Sequence, residues 1–315
     1  MADQRNGGIA WCDETWNPIR GCSRVSEGCR NCYAEAMAAR FCGAGQPYEG
    51  TINPETKRWS GNIKLVHDKL EQPMHWTRPR RIFVNSMSDL FHESVPDDFI
   101  DKVFAVMALC PQHTFQVLTK RPERMLDYLR SSSVRDKWVH AGDAFVYSMG
   151  SGRYANLSHI GDPGNMVSVF SQFPLPNVWL GVTVENQQAA DERIPLLLQT
   201  PVAVRWVSME PLLGSVDLTR CEHQNYSVAA DYLAGCDSRA QCDGGTLDYV
   251  VVGGESGRNA RPMHTNWVRS LRDQCKAAGV PFLVKQLSGE KGKVIKDISL
   301  FPADLQIREY PEAGL

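Results

Sequence analysis

Short, nearly continuous apolar runs recur along this chain, and most are followed by a segment of helical period. Ile82-Phe83-Val84-Asn85 is followed by Asp97–Cys110, in which Phe99, Ile100, Val103, Phe104 and Met107 fall on one face. Thr114–Leu118 is followed by Pro122–Arg130, and Val178–Thr183 by Gln187–Gln199. Val202–Val207 and Tyr249–Val252 come next, then a helix over Asn266–Ala278 closed by Gly279, and a last strand at Phe282-Leu283-Val284. Strands apolar along their whole length are buried on both faces. Strands joined by helices are parallel, because a parallel pair needs a long crossover. The pattern predicts an α/β chain with a parallel sheet covered by helices. Six or seven such units suggest a barrel or partial barrel more than a flat sheet. The expectation is one barrel domain over residues 1–315, with insertions at about 131–176 and 215–247 that are too long for ordinary connections.

Ahead of this rhythm lies a loop of another character. Gly8–Trp11 reads as a short first strand. Trp16-Asn17-Pro18-Ile19-Arg20-Gly21-Cys22 follows, then Cys29 and Cys32-Tyr33-Ala34-Glu35. The spacing is C-x6-C-x2-C. Three thiolates on one loop can take three corners of a metal or iron–sulfur cluster and leave the fourth open. Asn31–Cys42 reads as a helix with Ala34, Met37, Ala38 and Phe41 on one face. Its N-terminal dipole would favour an anionic group at the loop. Zinc is the plainer occupant, but structural zinc takes four ligands, and Cys12 or Cys42 would have to supply the last.

The chain has 315 residues and ten cysteines. No secretory leader and no apolar run of membrane-spanning length is read, so the expected location is the cytoplasm, where structural disulfides are rare. Cys110 and Cys275 lie on apolar helix faces and read as buried thiols. The net charge of −2 announces no global field for nucleic acid.

Chemistry in a parallel barrel sits at the C-terminal ends of the strands. Those ends are polar here: Ser86, Ser88 and Asp89; Thr119, Lys120 and Arg121; Thr183 and Glu185; Ser208 and Glu210; Gly253, Gly254 and Glu255; Lys285 and Gln286. The two glycines permit close backbone approach to a ligand. Glu185, Glu210 and Glu255 could each bind a ribose diol or an ammonium group. The first insertion interleaves Arg130, Arg135, Lys137, His140, Arg153 and His159 with Trp138, Phe145, Tyr147 and Tyr154, which suits phosphate contact and base stacking or a solvated lid. The second carries Cys221, His223, Cys236 and Cys242, soft ligands for a second metal, zinc or an auxiliary iron–sulfur cluster, or else plain loop thiols.

Together these residues resemble the radical S-adenosylmethionine enzymes, and more narrowly a phage and bacterial branch of them. The resemblance rests on Thr15-Trp16-Asn17-Pro18, Gly21-Cys22, Gly28–Glu35, Asn85–Phe91, Leu180–Asn186, Val252–Gly257 and Ala260–Met263, and it spans roughly residues 9–290. It implies a partial (β/α)6 TIM-like barrel of the radical SAM type. In that family three cysteines bind a [4Fe–4S] cluster and the open iron chelates S-adenosyl-L-methionine. Its reductive cleavage gives a 5′-deoxyadenosyl radical that abstracts hydrogen from substrate. The resemblance implies Cys22, Cys29 and Cys32 as cluster ligands, and Ser86, Ser88 and Asp89 at the methionine amino group. It implies Thr183, Glu185, Ser208 and Glu210 at ribose and carboxylate, Val252, Gly253 and Gly254 where the backbone meets adenine, Glu255 as a further cofactor contact, and Tyr33 packing on adenine or the cluster. The usual spacing is C-x3-C-x2-C with an aromatic before the last cysteine. Here the first gap is six residues, as in the phage branch, and Asn31 holds the aromatic's place. The resemblance also implies an electron donor such as flavodoxin or ferredoxin, and the host cytoplasm for a phage-encoded chain. Its phage members suggest a nucleobase substrate, such as an amino-acid-decorated thymine in DNA, rearranged by an isomerase or mutase. A base in a duplex would have to be flipped out. The rival readings are a free nucleotide or small amino acid as substrate, and a zinc-bearing DNA-binding protein without redox chemistry.

Overall fold

The computed structural model describes residues 9–149, 169–219, 231–235, 245–257, 259–289 and 293–312. The strands are β1 Glu14–Trp16, β2 Ile19–Arg20, β3 Lys64–Leu65, β4 Arg81–Val84, β5 Thr114–Thr119, β6 Val178–Thr183, β7 Val204–Met209, β8 Tyr249–Gly253, β9 Phe282–Ser288 and β10 Val294–Ile295. The described helices are α1 Tyr33–Ala38, α2 Asp97–Leu109, α3 Pro122–Arg130, α4 Val134–Met149, α5 Gln187–Leu198 and α6 Thr265–Ala278. Eight strands form one mostly parallel sheet in the order β1-β4-β5-β6-β7-β8-β9-β10, and β2 pairs with β3 in a separate antiparallel ribbon. The expected α/β class with a parallel sheet is thus observed. No described helix is long and apolar enough to cross a membrane.

The chain divides into two compact units, residues 1–23, 37–180 and 200–203 in the first and 24–36, 181–199 and 204–315 in the second. In the first unit β1, β4 and β5 run parallel, with Thr15 beside Phe83 and Phe83 beside Gln116. The predicted inner face of α2 is buried, with Phe99, Ile100, Val103, Phe104 and Met107 at most 2% exposed. C-terminal to Lys102 its remaining sides are buried too, and α4 packs on it. Trp138 of α4 stacks on Phe104 at 4.7 Å, and its indole N–H donates to the Tyr128 hydroxyl at 2.8 Å. Tyr128 in turn donates to Asp101 at 2.6 Å. In the second unit β7, β8 and β9 are parallel and β10 turns back antiparallel. Gly181 in β6 is required there: a Cβ would lie 2.6 Å from both the backbone oxygen and the indole nitrogen of buried Trp206.

Three expectations are corrected. Residues 9–11 of the expected first strand Gly8–Trp11 form no strand, Gly8 lying outside the described residues; the first described strand is Glu14–Trp16, half-exposed at the end of the sheet order. Helix α1 has six residues, not twelve, and Met37 and Phe41 are exposed beyond its buried Ala34 and Ala38. Within the first insertion, residues 134–149 form α4. Trp138 belongs to the core, so it is neither a stacking platform nor part of a solvated lid. Arg135 of α4 donates to the carbonyls of Phe170 and Ser171, while Tyr147 is exposed. Arg153, Tyr154 and His159 lie outside the described residues, as do Cys221, His223, Cys236 and Cys242. Cys110 and Cys275 are fully buried free thiols, as expected, and burial pushes each up to about 12.

Candidate functional site

Cys22 belongs to the first unit, Cys29 and Cys32 to the second; all three are half-buried and none is in a disulfide. An arginine bonds to the residue next to Cys22 and another to the residue next to Cys29. In the first unit, Gly21 bridges to Ser88, the Ser88 hydroxyl donates to the Ile19 carbonyl at 2.9 Å, and Arg121 approaches from the end of β5. Arg121 donates to Asp89 at 3.0 Å, to Glu93 at 2.8 Å and to the Ser23 hydroxyl at 2.6 Å, one residue from Cys22. Burial opposes the charge of Arg121, but Asp89, Cys22 and Glu93 together hold its pKa above the ordinary value. His92, buried and held below its ordinary pKa by burial and then by Arg121, accepts from the Ser94 N–H at Nδ1. Its Nε2 therefore carries the proton of the neutral ring and meets the Ser23 hydroxyl at 3.0 Å.

In the second unit, Arg24 forks onto buried Glu35 and also reaches the Arg30 carbonyl at 3.3 Å. Its pKa is raised first by the bond to Glu35, which outweighs burial, and then by the charges of Glu35, Cys29 and Cys32. The segment carrying these cysteines is clamped by β8's end. Asn31 donates to Glu255 at 2.8 Å and to the Asn259 carbonyl at 2.9 Å. Arg261 donates to Glu255 at 3.0 Å, to the Glu27 carboxylate at 3.0 Å and to the Glu27 carbonyl at 2.9 Å. Burial alone would raise the Glu255 carboxyl; the bonds from Arg261 and Asn31 outweigh it and hold it below the usual range. Asn31 is thus the link between the loop and the segment that follows β8.

The other strand-end residues are engaged by their own unit. Asp89, 5% exposed, accepts from the Thr119 hydroxyl, the Phe91 and Lys120 amides and Arg121. The Ser86 hydroxyl donates to Asn17 at 3.1 Å. Glu185, 1% exposed, is forked by Arg193 of α5 at 2.8 and 3.3 Å, and Arg193 also reaches the Thr183 carbonyl. Gly28 sits over this carboxylate, where a Cβ would lie 3.2 Å from it. Glu210 takes Lys285 at 2.8 Å and faces the Ser208 hydroxyl at 3.4 Å. Gly253 leaves room for that carboxylate, since a Cβ there would collide with it. The Gly254 N–H donates to the Gln286 carbonyl and its carbonyl accepts from the Gln286 amide. Tyr33 opens α1 and is 49% exposed.

Arg24 and Arg193 escaped the sequence reading. Arg193 had a signal: Asn186 caps α5, and a residue seven positions after the cap lies two turns along the helix. Among the described residues no group of three or more His, Cys, Asp or Glu is gathered as a metal-binding cluster. The donor set nevertheless fits a thiolate-bound group. It offers three half-buried soft donors within eleven residues, with arginines placed to offset their charge.

Residues 6–299 match the model of a family described as a protein of unknown function, DUF5131. Neither the curated proteins nor the solved structures contain a match.

Proposed function

The chain belongs to the DUF5131 family, and we propose that it is a radical S-adenosylmethionine enzyme built on a partial (β/α)6 barrel, acting on a thymine-type base. The observation that carries this reading is the C-x6-C-x2-C loop, in which Arg121 donates to the Ser23 hydroxyl next to Cys22 and Arg24 to the Arg30 carbonyl next to Cys29. Cys22, Cys29 and Cys32 would hold a [4Fe–4S] cluster with S-adenosylmethionine at its open corner. When bound, that pair supplies reductive cleavage of the sulfonium and hydrogen abstraction from substrate. The two arginines offset the charge of the thiolates. The Arg261–Glu255–Asn31 clamp holds Cys29 and Cys32 in one loop conformation, and the Ser23–His92–Arg121 network does the same for Cys22. Glu185 and Asp89 act in this reading as anchors for Arg193 and Arg121 rather than as free ligands.

The test is anaerobic reconstitution of the full chain with iron and sulfide, followed by dithionite and S-adenosylmethionine. The expected result is about four irons per chain with release of 5′-deoxyadenosine and methionine, both abolished by Cys29→Ala. A protein that takes up zinc and no iron, without visible absorption, would sink the reading in favour of a zinc-bearing DNA-binding protein. Product analysis with a thymine-containing oligonucleotide, free thymidine and amino acids then separates base modification in DNA from the alternatives.

A further inference from the structure

The polar side chains Ser86, Ser88, Asp89 and Thr119 at the strand ends of the first unit are bonded within the protein. Asp89 takes four donors, Thr119 donates to it, and the Ser86 and Ser88 hydroxyls each have an acceptor. Asn85 and Gln116 are different. They are 2% and 0% exposed, and neither the oxygen nor the nitrogen of either amide has a partner within the protein. Among the described residues they are the two buried side chains of which this is true of both polar atoms.

Their placement is not that of stray core residues. Gln116 lies in the middle of β5, in register with Phe83 of β4 and through it with Thr15 of β1. Asn85 directly follows β4, two residues beyond Phe83, on the adjacent strand. Its N–H still donates to the Trp16 carbonyl at 2.7 Å, yet its φ is +61°, in the left-handed region that few residues but glycine and asparagine adopt. A buried amide left unpaired is destabilising, so two on neighbouring strands are a standing cost that an apolar pair would avoid. Native interiors seldom keep such groups without a use.

The chemistry of the pair defines what would satisfy it. Each amide offers a donor and an acceptor side by side, and neither is bonded to a charged side chain. A carboxylate or phosphate seated here would lack the arginine or lysine that buried anions require. The complement is a neutral planar group that itself presents an N–H next to a C=O. We propose that Asn85 and Gln116 are the ligand-reading pair of this protein, and that they recognise an amide or imide edge. The imide of a pyrimidine base and a primary or secondary carboxamide share this chemistry. The assignment deepens the proposed function and rests on it for the statement that this ligand is the substrate. The binding itself requires neither cluster nor electron transfer.

The experiment is calorimetric titration of the full chain, without S-adenosylmethionine, with thymidine, N3-methylthymidine and N-acetylglutaminamide. At least one of thymidine and the carboxamide should bind saturably, and which of them does identifies the source of the edge. N3-methylthymidine, lacking the imide N–H, should bind at least tenfold more weakly than thymidine if the base is the source. Gln116→Leu, close in volume, and Asn85→Gly, which keeps the left-handed backbone, should each weaken binding of the active probe at least tenfold. Without ligand, Gln116→Leu should melt at or above the parent temperature, because it removes an unpaired buried amide. Absence of binding to both probes would overturn the proposal. So would unchanged affinity in both variants, or failure of both variants to fold, which would assign the amides to the core. Amide-dependent binding in a protein that holds no iron would overturn the radical reading alone. Iron-dependent cleavage of S-adenosylmethionine without amide-dependent binding would overturn this inference alone.

Discussion

Asn31 and Arg261 show what a single side chain does for the cysteine segment. Asn31 is separated from Glu255 by more than two hundred residues, and the two meet at 2.8 Å. From the sequence, Glu255 reads as a free carboxylate at a strand tip. In the structure it is the anchor of a clamp, and the Arg261 guanidinium makes four hydrogen bonds to Glu27 and Glu255. Sequence reveals that a carboxylate is present at a strand end; it does not reveal which distant cation occupies it. Arg261→Ala should destabilise the second unit by about 2 kcal/mol, because it strips charged hydrogen bonds from a buried carboxylate. Arg261→Lys should recover less than half, since an ammonium cannot fork. Urea unfolding followed by tryptophan fluorescence measures both. The pH dependence carries the same signature. Folding lowers the pKa of Glu255 below its ordinary value near 4.5, so in acid the unfolded chain binds the extra proton. Its stabilisation is complete above that ordinary value and is lost as pH falls through the native one. The alanine variant should show a flatter acid limb. An unchanged limb would mean that the clamp does not hold Glu255 ionised.

At the scale of elements, the sequence was most legible where burial is most complete. Pro122–Arg130 and Val178–Thr183 are found at the residues their patterns predict, and α2 and α6 within one residue at each end. In α3, α6 and β6 the buried residues recur at the element's own period: Met125, Leu126 and Leu129 in α3, Val268, Leu271 and Cys275 in α6, and every residue of β6. The misses fall where that pattern weakens. β1 lies at the end of the sheet order and has an intermediate, intermediate, buried pattern, so no apolar run marks it. Helix α4 was hidden by composition. Its Val134, Trp138 and Ala141 recur at helical spacing and are buried, but the Ser-rich start and the basic residues between them suggested a loop. The stacking of Trp138 on Phe104 and its bond to Tyr128 assign it to the interior. Trp138→Ala should therefore cost about 3–5 kcal/mol. It should leave affinity for nucleotides, measured by titration well below the melting temperature, within twofold of the parent. A large loss of nucleotide affinity with stability intact would return Trp138 to the role of a stacking platform.

For the whole molecule the question is what the charge is used for. The chain has 34 Lys and Arg against 36 Asp and Glu. Many of its arginines are committed internally: Arg24 to Glu35, Arg80 to Glu14, Arg81 to Asp13, Arg121 to Asp89, Arg124 to Asp97, Arg193 to Glu185, Arg261 to Glu255, and Arg269 and Arg272 to Asp304. An arginine held by a carboxylate contributes little to neutralising a phosphate backbone. A DNA-binding protein that relies on its basic field works the other way, with free cations and a steep fall of affinity in salt. If a base in DNA is the substrate, recognition must therefore rest on the base itself, as the unpaired amides of Asn85 and Gln116 would allow, with few phosphate contacts. Binding of a thymine-containing single strand should then correspond to no more than about three neutralised phosphates, a loss of less than about twentyfold between 50 and 200 mM salt. Fluorescence anisotropy across that range measures the slope. A slope several times steeper would show a phosphate-tracking surface that the internal pairing of these arginines does not provide, and would favour the zinc-bearing DNA-binding reading over base recognition by neutral amides.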